Sequence, residues 1–459
     1  MEKPQRNLIV CSDGTWNNPN QTDRNKNTAT NVFKIAKGLD LNDNQVLFYD
    51  KGVGSGWKGR KIVEGFTGAG ISKNIMDAYK FIATEYQKED KLYLFGFSRG
   101  AFTVRSLYGL IYSCGLLKKE YAENDELIWR VFKAYQLQWE TNDLRKEYTI
   151  FKEKHTISLP DTEIRIGIWD TVKALGIPLF GRSTFPWNKF HLVDYFNTNK
   201  NVKVFHAVAA DELRRQFPLV EIAEKPKSSV KKEVWFVGSH SNVGGGYSDT
   251  GLSDITLEWM IKNMEEENNT GLRMKENFVQ NLRPDAYAEF RNSRTGHYKL
   301  LPMNIRKFTE KDNKNNSTEM HSTVLERHKL TAMDYNPKSL SLPKEKDKYS
   351  VSLMENYSRA YVTLAVLMVG IIVYYISTAE FFLTFLGWLA SVLISIKDGL
   401  CNYSWSEWHL WYIIPAVIFW FYLIAPVLWY PAKWALIKWN IAQLKKANAY
   451  SADEKVVKP

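Results

Sequence analysis

Hydrophobic and polar positions alternate between two patterns through the first 265 residues. Short apolar runs stop abruptly at a glycine or a polar residue. They are Leu8-Ile-Val-Cys11 before Ser12-Asp13-Gly14, Gln45-Val-Leu-Phe-Tyr-Asp50, Leu92-Tyr-Leu-Phe95 before Gly96, Glu163-Ile-Arg-Ile-Gly-Ile-Trp169 before Asp170, Phe205-His-Ala-Val-Ala-Ala210 before Asp211, and Glu233-Val-Trp-Phe-Val237 before Gly238. Runs of this length bounded by turn signals read as strands, and the most apolar of them as strands of a parallel sheet buried on both faces. Residues 71–87 and 101–110 instead repeat their apolar positions at helical spacing, and residues 124–148 form a charged, aromatic-bearing stretch that predicts one or two helices covering the sheet. Strands alternating with helices specify an α/β fold, a mostly parallel sheet flanked by helices. Such a sheet presents its functional groups at the carboxyl ends of its strands.

Past residue 265 the pattern weakens. Residues 265–350 are polar, and Glu310-Lys-Asp-Asn-Lys-Asn-Asn-Ser-Thr318 and Pro337-Lys-Ser-Leu-Ser-Leu-Pro343 read as loop or linker. Near Arg359 the composition changes again. Residues 360–376, 381–396 and 410–430 carry no charge and are apolar or aromatic almost throughout. Only the last reaches the roughly 20 residues of a spanning helix; the first two read as tilted spans, or as a hairpin with Ser377-Thr-Ala-Glu380 at its tip. Tyr374, Tyr375, Trp408, Trp411, Tyr430 and Trp434 gather at the ends of these runs, as an interfacial aromatic belt does. Lys348 and Arg359 precede them and Lys433, Lys438, Lys445 and Lys446 follow, so the positive-inside rule places both flanks on one side and predicts an even number of crossings. The expected organisation is an α/β domain over residues 1–350, with core motifs in 5–265 and a polar extension in 266–350, then a membrane-associated helical region and basic tail over 351–459.

Charge and cysteine usage narrow the partners. Sixty-one Lys and Arg against 50 Asp and Glu give a net charge of +11. The basic residues are dispersed and accompany no nucleic-acid motif, so an anionic membrane surface is the better electrostatic partner than nucleic acid. Cys11, Cys114 and Cys401 are odd in number, far apart and in no metal-ligand spacing, which argues for a reducing cytoplasm rather than a disulfide framework or zinc site. Residues 1–7 lead straight into a strand with no apolar signal region, so the sequence predicts no Sec-type export, and an α/β domain that is cytoplasmic unless delivered by another route.

The chemistry centres on Gly96-Phe-Ser-Arg-Gly100. A strand, then a serine between glycines two before and two after, then a helix, is the pattern of a nucleophile elbow, where a sharp turn holds the serine at strained angles. The five-residue pattern arises readily by chance; the flanking strand and helix give it weight. A serine hydroxyl needs an imidazole to take its proton and a carboxylate to fix the imidazole's tautomer. Asp170 and His240 follow Ser98 in the order this arrangement uses, each just beyond an apolar strand, with Asp211 the rival acid. The oxyanion of acyl transfer needs two N–H donors: Arg99 supplies the first by position, and the Asp13-Gly14-Thr15 loop suits the second, with Asp13 ordering it. Asp13, Asp170, Asp211 and His240 also admit a metal-dependent phosphoesterase reading, which no close ligand spacing supports. The glycine-rich residues 51–70 lack a phosphate-loop signature and read as a loop at the site's rim.

Five motifs in order carry a resemblance: Cys11-Ser-Asp-Gly-Thr-Trp-Asn-Asn18, Gly96-Phe-Ser-Arg-Gly-Ala101, Ile168-Trp-Asp-Thr-Val172, Phe205-His-Ala-Val-Ala-Ala-Asp-Glu212 and Val234-Trp-Phe-Val-Gly-Ser-His-Ser-Asn-Val-Gly-Gly-Gly-Tyr247. Over residues 5–330 the chain resembles the α/β-hydrolase phospholipases of the type VI secretion lipase-effector family, found in bacteria and fungi. The resemblance implies an α/β-hydrolase-like sheet and a cofactor-free Ser, Asp, His esterase acting on membrane phospholipid, on matching positions Ser98, Asp170 and His240. It also implies a secretion-apparatus or chaperone partner. His321-Ser-Thr-Val324 resembles a late family motif and makes His321 a reserve candidate. Two positions depart from the pattern: Asn242 stands where an Asp is expected, and Lys173 where a glycine is usual. The reading from another class is a non-catalytic membrane receptor or scaffold that keeps the fold and binds through its cleft.

Overall fold

The six apolar runs, with two later polar segments, assemble side by side into one sheet of eight strands: β1 (Asn7–Ser12), β2 (Gln45–Asp50), β3 (Lys91–Phe97), β4 (Ile164–Trp169), β5 (Val202–Ala209), β6 (Val230–Phe236), β7 (Lys311–Asn313) and β8 (Asn316–Met320). Their order is β7-β8-β6-β5-β4-β3-β1-β2, parallel throughout except for the β7–β8 pair. The computed structural model describes residues 5–14, 22–42, 44–52, 69–137, 141–159, 161–172, 201–215, 217–222, 230–265, 271–295, 298, 303–308, 311–313, 316–330, 335, 337, 339, 434–435 and 437–445. All belong to one compact unit, formed by residues 1–341 together with 434–459.

Period-two alternation explains why the central strands carry apolar residues at nearly every position. Along β3, Leu92 and Leu94 face one hydrophobic cluster while Tyr93, Phe95 and Phe97 face another; along β1, Leu8 and Val10 part in the same way from Ile9 and Cys11. Helices α2 (Ala69–Glu85), α3 (Arg99–Cys114), α4 (Asp125–Leu137) and α5 (Asn142–His155) supply the first cluster. Helices α1 (Asn31–Gly38) and α7 (Gly251–Met264) supply the second, and the short α6 (His240–Gly244) precedes α7. Both faces of the sheet are thus covered, as parallel strands require. Residues 124–148 resolve into two helices, each starting at a polar residue: Thr141 caps α5 by accepting from Leu144 N–H at 3.1 Å.

The polar stretch read as loop over residues 310–318 is instead sheet: β8 pairs with β6 from Lys231–Asn316 to Trp235–Met320, and β7 closes that edge antiparallel. β7 is the edge strand, paired on one side only, and β8 lies next to it; strands at the margin of a sheet need no apolar run, so periodicity did not reveal them. The extension continues into α8 (Ser322–Lys329). Past residue 434 the chain packs on α4: the Trp129 and Trp439 rings meet edge to face at 5.0 Å, Arg130 donates to Gln443, and Ile437 and Leu444 join the first cluster. No helix among the described residues is long and apolar enough to cross a membrane. The runs at residues 360–376, 381–396 and 410–430 lie outside the described residues, as do Thr15, Lys173 and most of the glycine-rich loop.

Candidate active site

Ser98 sits between the last residue of β3 and the first of α3 with φ 59° and ψ −119°, a backbone conformation that costs energy in any residue but glycine. Close packing enforces it. A Cβ on Gly96 would lie 2.5 Å from Gly100 O, and one on Gly100 would lie 2.0 Å from Ser12 O, so the elbow's turn and its helix press directly against each other and against the end of β1. Ser98 N–H donates to Trp169 O at 3.0 Å, which ties the elbow to the end of β4.

Asp170 follows at that strand end, also at positive φ (41°), and is fully buried. Its N–H donates to Ala207 O at 2.8 Å and the next N–H, of Thr171, to His206 Nε2 at 3.2 Å. The carboxylate is saturated: Oδ1 accepts from Ala209 N–H at 3.0 Å and Arg306 Nη1 at 2.5 Å, and Oδ2 from Arg306 Nη2 at 3.1 Å and His240 Nδ1 at 2.5 Å. Burial alone pushes this carboxyl's pKa up; Arg306 and His240 outweigh it and hold the group well below the usual carboxylate range. A carboxylate only accepts, so Nδ1 carries the proton and the neutral imidazole keeps its lone pair on Nε2. Burial is the largest influence on His240 and keeps its pKa below 6.5 despite Asp170. The ring is walled by Phe97 at 4.6 Å and Phe217 at 5.1 Å. Ser98 itself makes no hydrogen bond through its hydroxyl among the described residues; the ring of Phe97, the residue before it, packs on His240.

The rival acid lies elsewhere. Asp211 Oδ2 accepts from Gly238 N–H and from Tyr335 Oη, both at 2.8 Å, so it braces the turn that leads to His240 and does not bond the imidazole. Burial raises it to about 6. His321 caps α8, its Nδ1 2.9 Å from Thr323 Oγ1 and its ring stacked on Phe236, on the strand end beside β6. Asp13 orders its loop: Oδ1 accepts from Gly14 N–H at 2.8 Å, and Oδ2 from Thr30 Oγ1 at 2.7 Å and Tyr49 Oη at 3.0 Å. The Gly14 N–H is therefore engaged within the loop rather than offered to a ligand. Arg99 is the first residue of α3, its guanidinium lowered to about 10 by burial. Asp13, Asp170 and Asp211 thus bond separate partners, and no group of three or more ligating side chains placed to hold a metal occurs among the described residues.

Residues that sequence reasoning did not assign complete the site. Glu212 Oε2 accepts from His240 N–H at 3.2 Å, and its carboxylate also binds Arg214 and Ser293. Arg214 lies 3.6 Å over the Phe217 ring. His206 donates to Glu233 at 3.0 Å, which frees its Nε2 to accept from Thr171. Glu212 and His206 lie in a motif the sequence offered; Arg306 carried no signal, being one arginine in a polar extension. Asn242 does what an Asp there would not: its Oδ1 accepts from Ser239 while Nδ2 donates to Glu289 O at 3.1 Å.

A family model described as the catalytic domain of Tle1-like phospholipase effectors of the type VI secretion system matches residues 6–263. The uncharacterized Saccharomyces cerevisiae protein YEL023C is 28% identical over 231 residues, 46% of this chain and 32% of that one, so the chain spans about a third of that curated relative. Two solved structures are similar at 17% identity. One is an uncharacterized protein from Pseudomonas aeruginosa, with TM-score 0.36 over 60% of this chain and 47% of that one. The other is the Tle1 effector bound to the VgrG spike of the type 6 secretion system, with TM-score 0.35 over 54% of this chain and 53% of that one. The family match takes in more than half of the 459 residues, and with them the elbow serine and the imidazole–carboxylate pair: the chain belongs to the Tle1-like phospholipase effector family through its catalytic domain.

Proposed function

We propose that the protein is a membrane-associated serine esterase that hydrolyses phospholipid acyl esters, with Ser98 as nucleophile, His240 as base and Asp170 as the acid that orients it. The observation that carries this reading is the bond from His240 Nδ1 to Asp170 Oδ2, made at the strand end to which the elbow of Ser98 is tied. In the first half-reaction His240 Nε2 takes the Ser98 proton as Oγ attacks the acyl carbonyl, and Asp170 stabilises the imidazolium. The oxyanion is met by the N–H of Arg99, the residue that follows the nucleophile. His240 then returns the proton to the departing lysolipid oxygen, leaving an acyl-serine. Water, deprotonated by the same nitrogen, cleaves it to fatty acid and free serine.

The apolar runs after residue 359 suit attachment to the bilayer that holds the substrate. Delivery by a secretion apparatus is the partner reading that follows from the family. The test is labelling with a serine-reactive fluorophosphonate: the wild type is labelled and the folded Ser98→Ala protein is not, and the wild type alone releases fatty acid from phospholipid vesicles. A folded wild type that neither labels nor releases fatty acid overturns the esterase and leaves a binding scaffold.

A further inference from the structure

Arg306 lies outside the matched family segment, yet its side chain is 3% exposed and ends on the candidate acid. Four contacts define its position. Nη1 donates to Asp170 Oδ1 at 2.5 Å and to Ala209 O at 2.8 Å; Nη2 donates to Asp170 Oδ2 at 3.1 Å and to Phe217 O at 3.1 Å. One planar fork therefore joins the end of β4, the end of β5 and the loop whose Phe217 ring packs on His240. Two parallel N–H donors across a carboxylate fix its rotation as well as its place, which one ammonium does not do. With both oxygens held, the Asp170 carboxylate cannot rotate away from His240 Nδ1, which its Oδ2 meets at 2.5 Å.

The charges around the imidazole add a second argument. Among the described residues, the charged side chains that face His240 are Asp170 on its Nδ1, Glu212 beneath its backbone N–H, Arg214 bound to Glu212, and Arg306 bound to Asp170. Among the described residues the Phe97 and Phe217 rings also wall it. Two carboxylates are matched by two guanidiniums. A lone buried carboxylate beside an imidazole would favour the imidazolium; with the charge balanced, burial decides and the ring stays neutral. Neutrality is what a general base needs before it takes the serine proton.

We propose that Arg306 is a positioning residue for the acid–imidazole pair: its guanidinium fixes the Asp170 carboxylate against His240 and balances the charge around the imidazole. The inference rests on the esterase reading for its effect on turnover, but its effect on His240 can be read without turnover.

The test uses the full chain with 15N-labelled histidine, the His240 resonance assigned by its loss in His240→Asn, alongside kcat/KM on a soluble ester across pH. Arg306→Met removes charge and fork together: His240 titrates about one pH unit higher, a tenfold change in its protonation equilibrium. The acid limb of kcat/KM moves up with it, and kcat falls by on the order of tenfold or more with KM little changed. Arg306→Lys keeps the charge without the fork, so His240 titrates as in the wild type while kcat still falls. If Arg306→Met does not fold, Arg306→Gln carries the same charge test. A His240 titration unmoved in folded Arg306→Met or Arg306→Gln overturns the charge-balancing role, and wild-type kcat in Arg306→Lys overturns the orienting one. Failure of the esterase reading shows separately, as absent Ser98 labelling with the titration shift intact.

Discussion

Asp170 and Asp211 are two buried carboxylates just past the ends of neighbouring strands, and each answers the sequence's demand for an acid near His240. Their environments part them. Asp170 receives a guanidinium fork and an imidazole N–H and is held well below the usual range. Asp211 is bonded by an amide N–H and a phenol, both neutral, and burial raises it to about 6. Burial is the largest influence on both, and only a bonded cation reverses it. The two therefore hold different posts: one faces the imidazole, and the other staples Gly238 in the turn that delivers the imidazole.

Exchanging carboxylate for amide separates the posts most sharply. Asp170→Asn presents Nδ1 with the wrong partner and lowers kcat on a phospholipid or soluble ester by on the order of 10⁴, whereas Asp211→Asn keeps an acceptor for Gly238 and loses less than about tenfold. Equal losses in the two variants, each checked for folding, would break the comparison. A smaller effect appears in stability. For a carboxyl whose folded pKa is raised, the stabilisation is full below the unfolded value near 4 and is lost as pH rises through about 6. Between pH 4 and pH 7 the wild type should therefore lose about 3 kcal/mol relative to Asp211→Asn, read by urea unfolding at the two pH values. A difference independent of pH would mean that folding leaves the Asp211 pKa unraised. The smallest effect belongs to the reserve candidate: His321→Ala removes a helix cap, costs about 0.5–1 kcal/mol and leaves turnover within about twofold. A deep loss of turnover there would add His321 to the site.

The sheet was legible because its central strands are buried on both faces and end at sharp polar turns, which is how Leu92-Tyr-Leu-Phe95 and Gly96 announce themselves. The glycines of the elbow were legible for a steric reason, and the contacts that a Cβ would make at Gly96 and Gly100 bear that reason out. The loop expected to offer a second oxyanion donor was legible only in part: Asp13 bonds Thr30 and Tyr49, but the Gly14 N–H turns inward to that same carboxylate. Arg306 and Tyr335 were not legible, because a side chain that reaches a site across more than a hundred residues leaves no local period. Nor could the Asn242 position be judged from sequence. There an amide serves both as acceptor and as donor, so replacing the expected carboxylate adds a bond to Glu289 O rather than removing one.

The strands missed altogether, at residues 311–313 and 316–320, have a consequence for the molecule in crowded surroundings. Sheets end where another chain could begin, and an open strand is an invitation to pair with a neighbour's backbone. This sheet closes on one side with a three-residue strand of Lys311, Asp312 and Asn313 running against the others. So short and so charged a border offers little template for addition. The same hydrophilic character that disguised the segment as a linker is what lets the sheet stop growing.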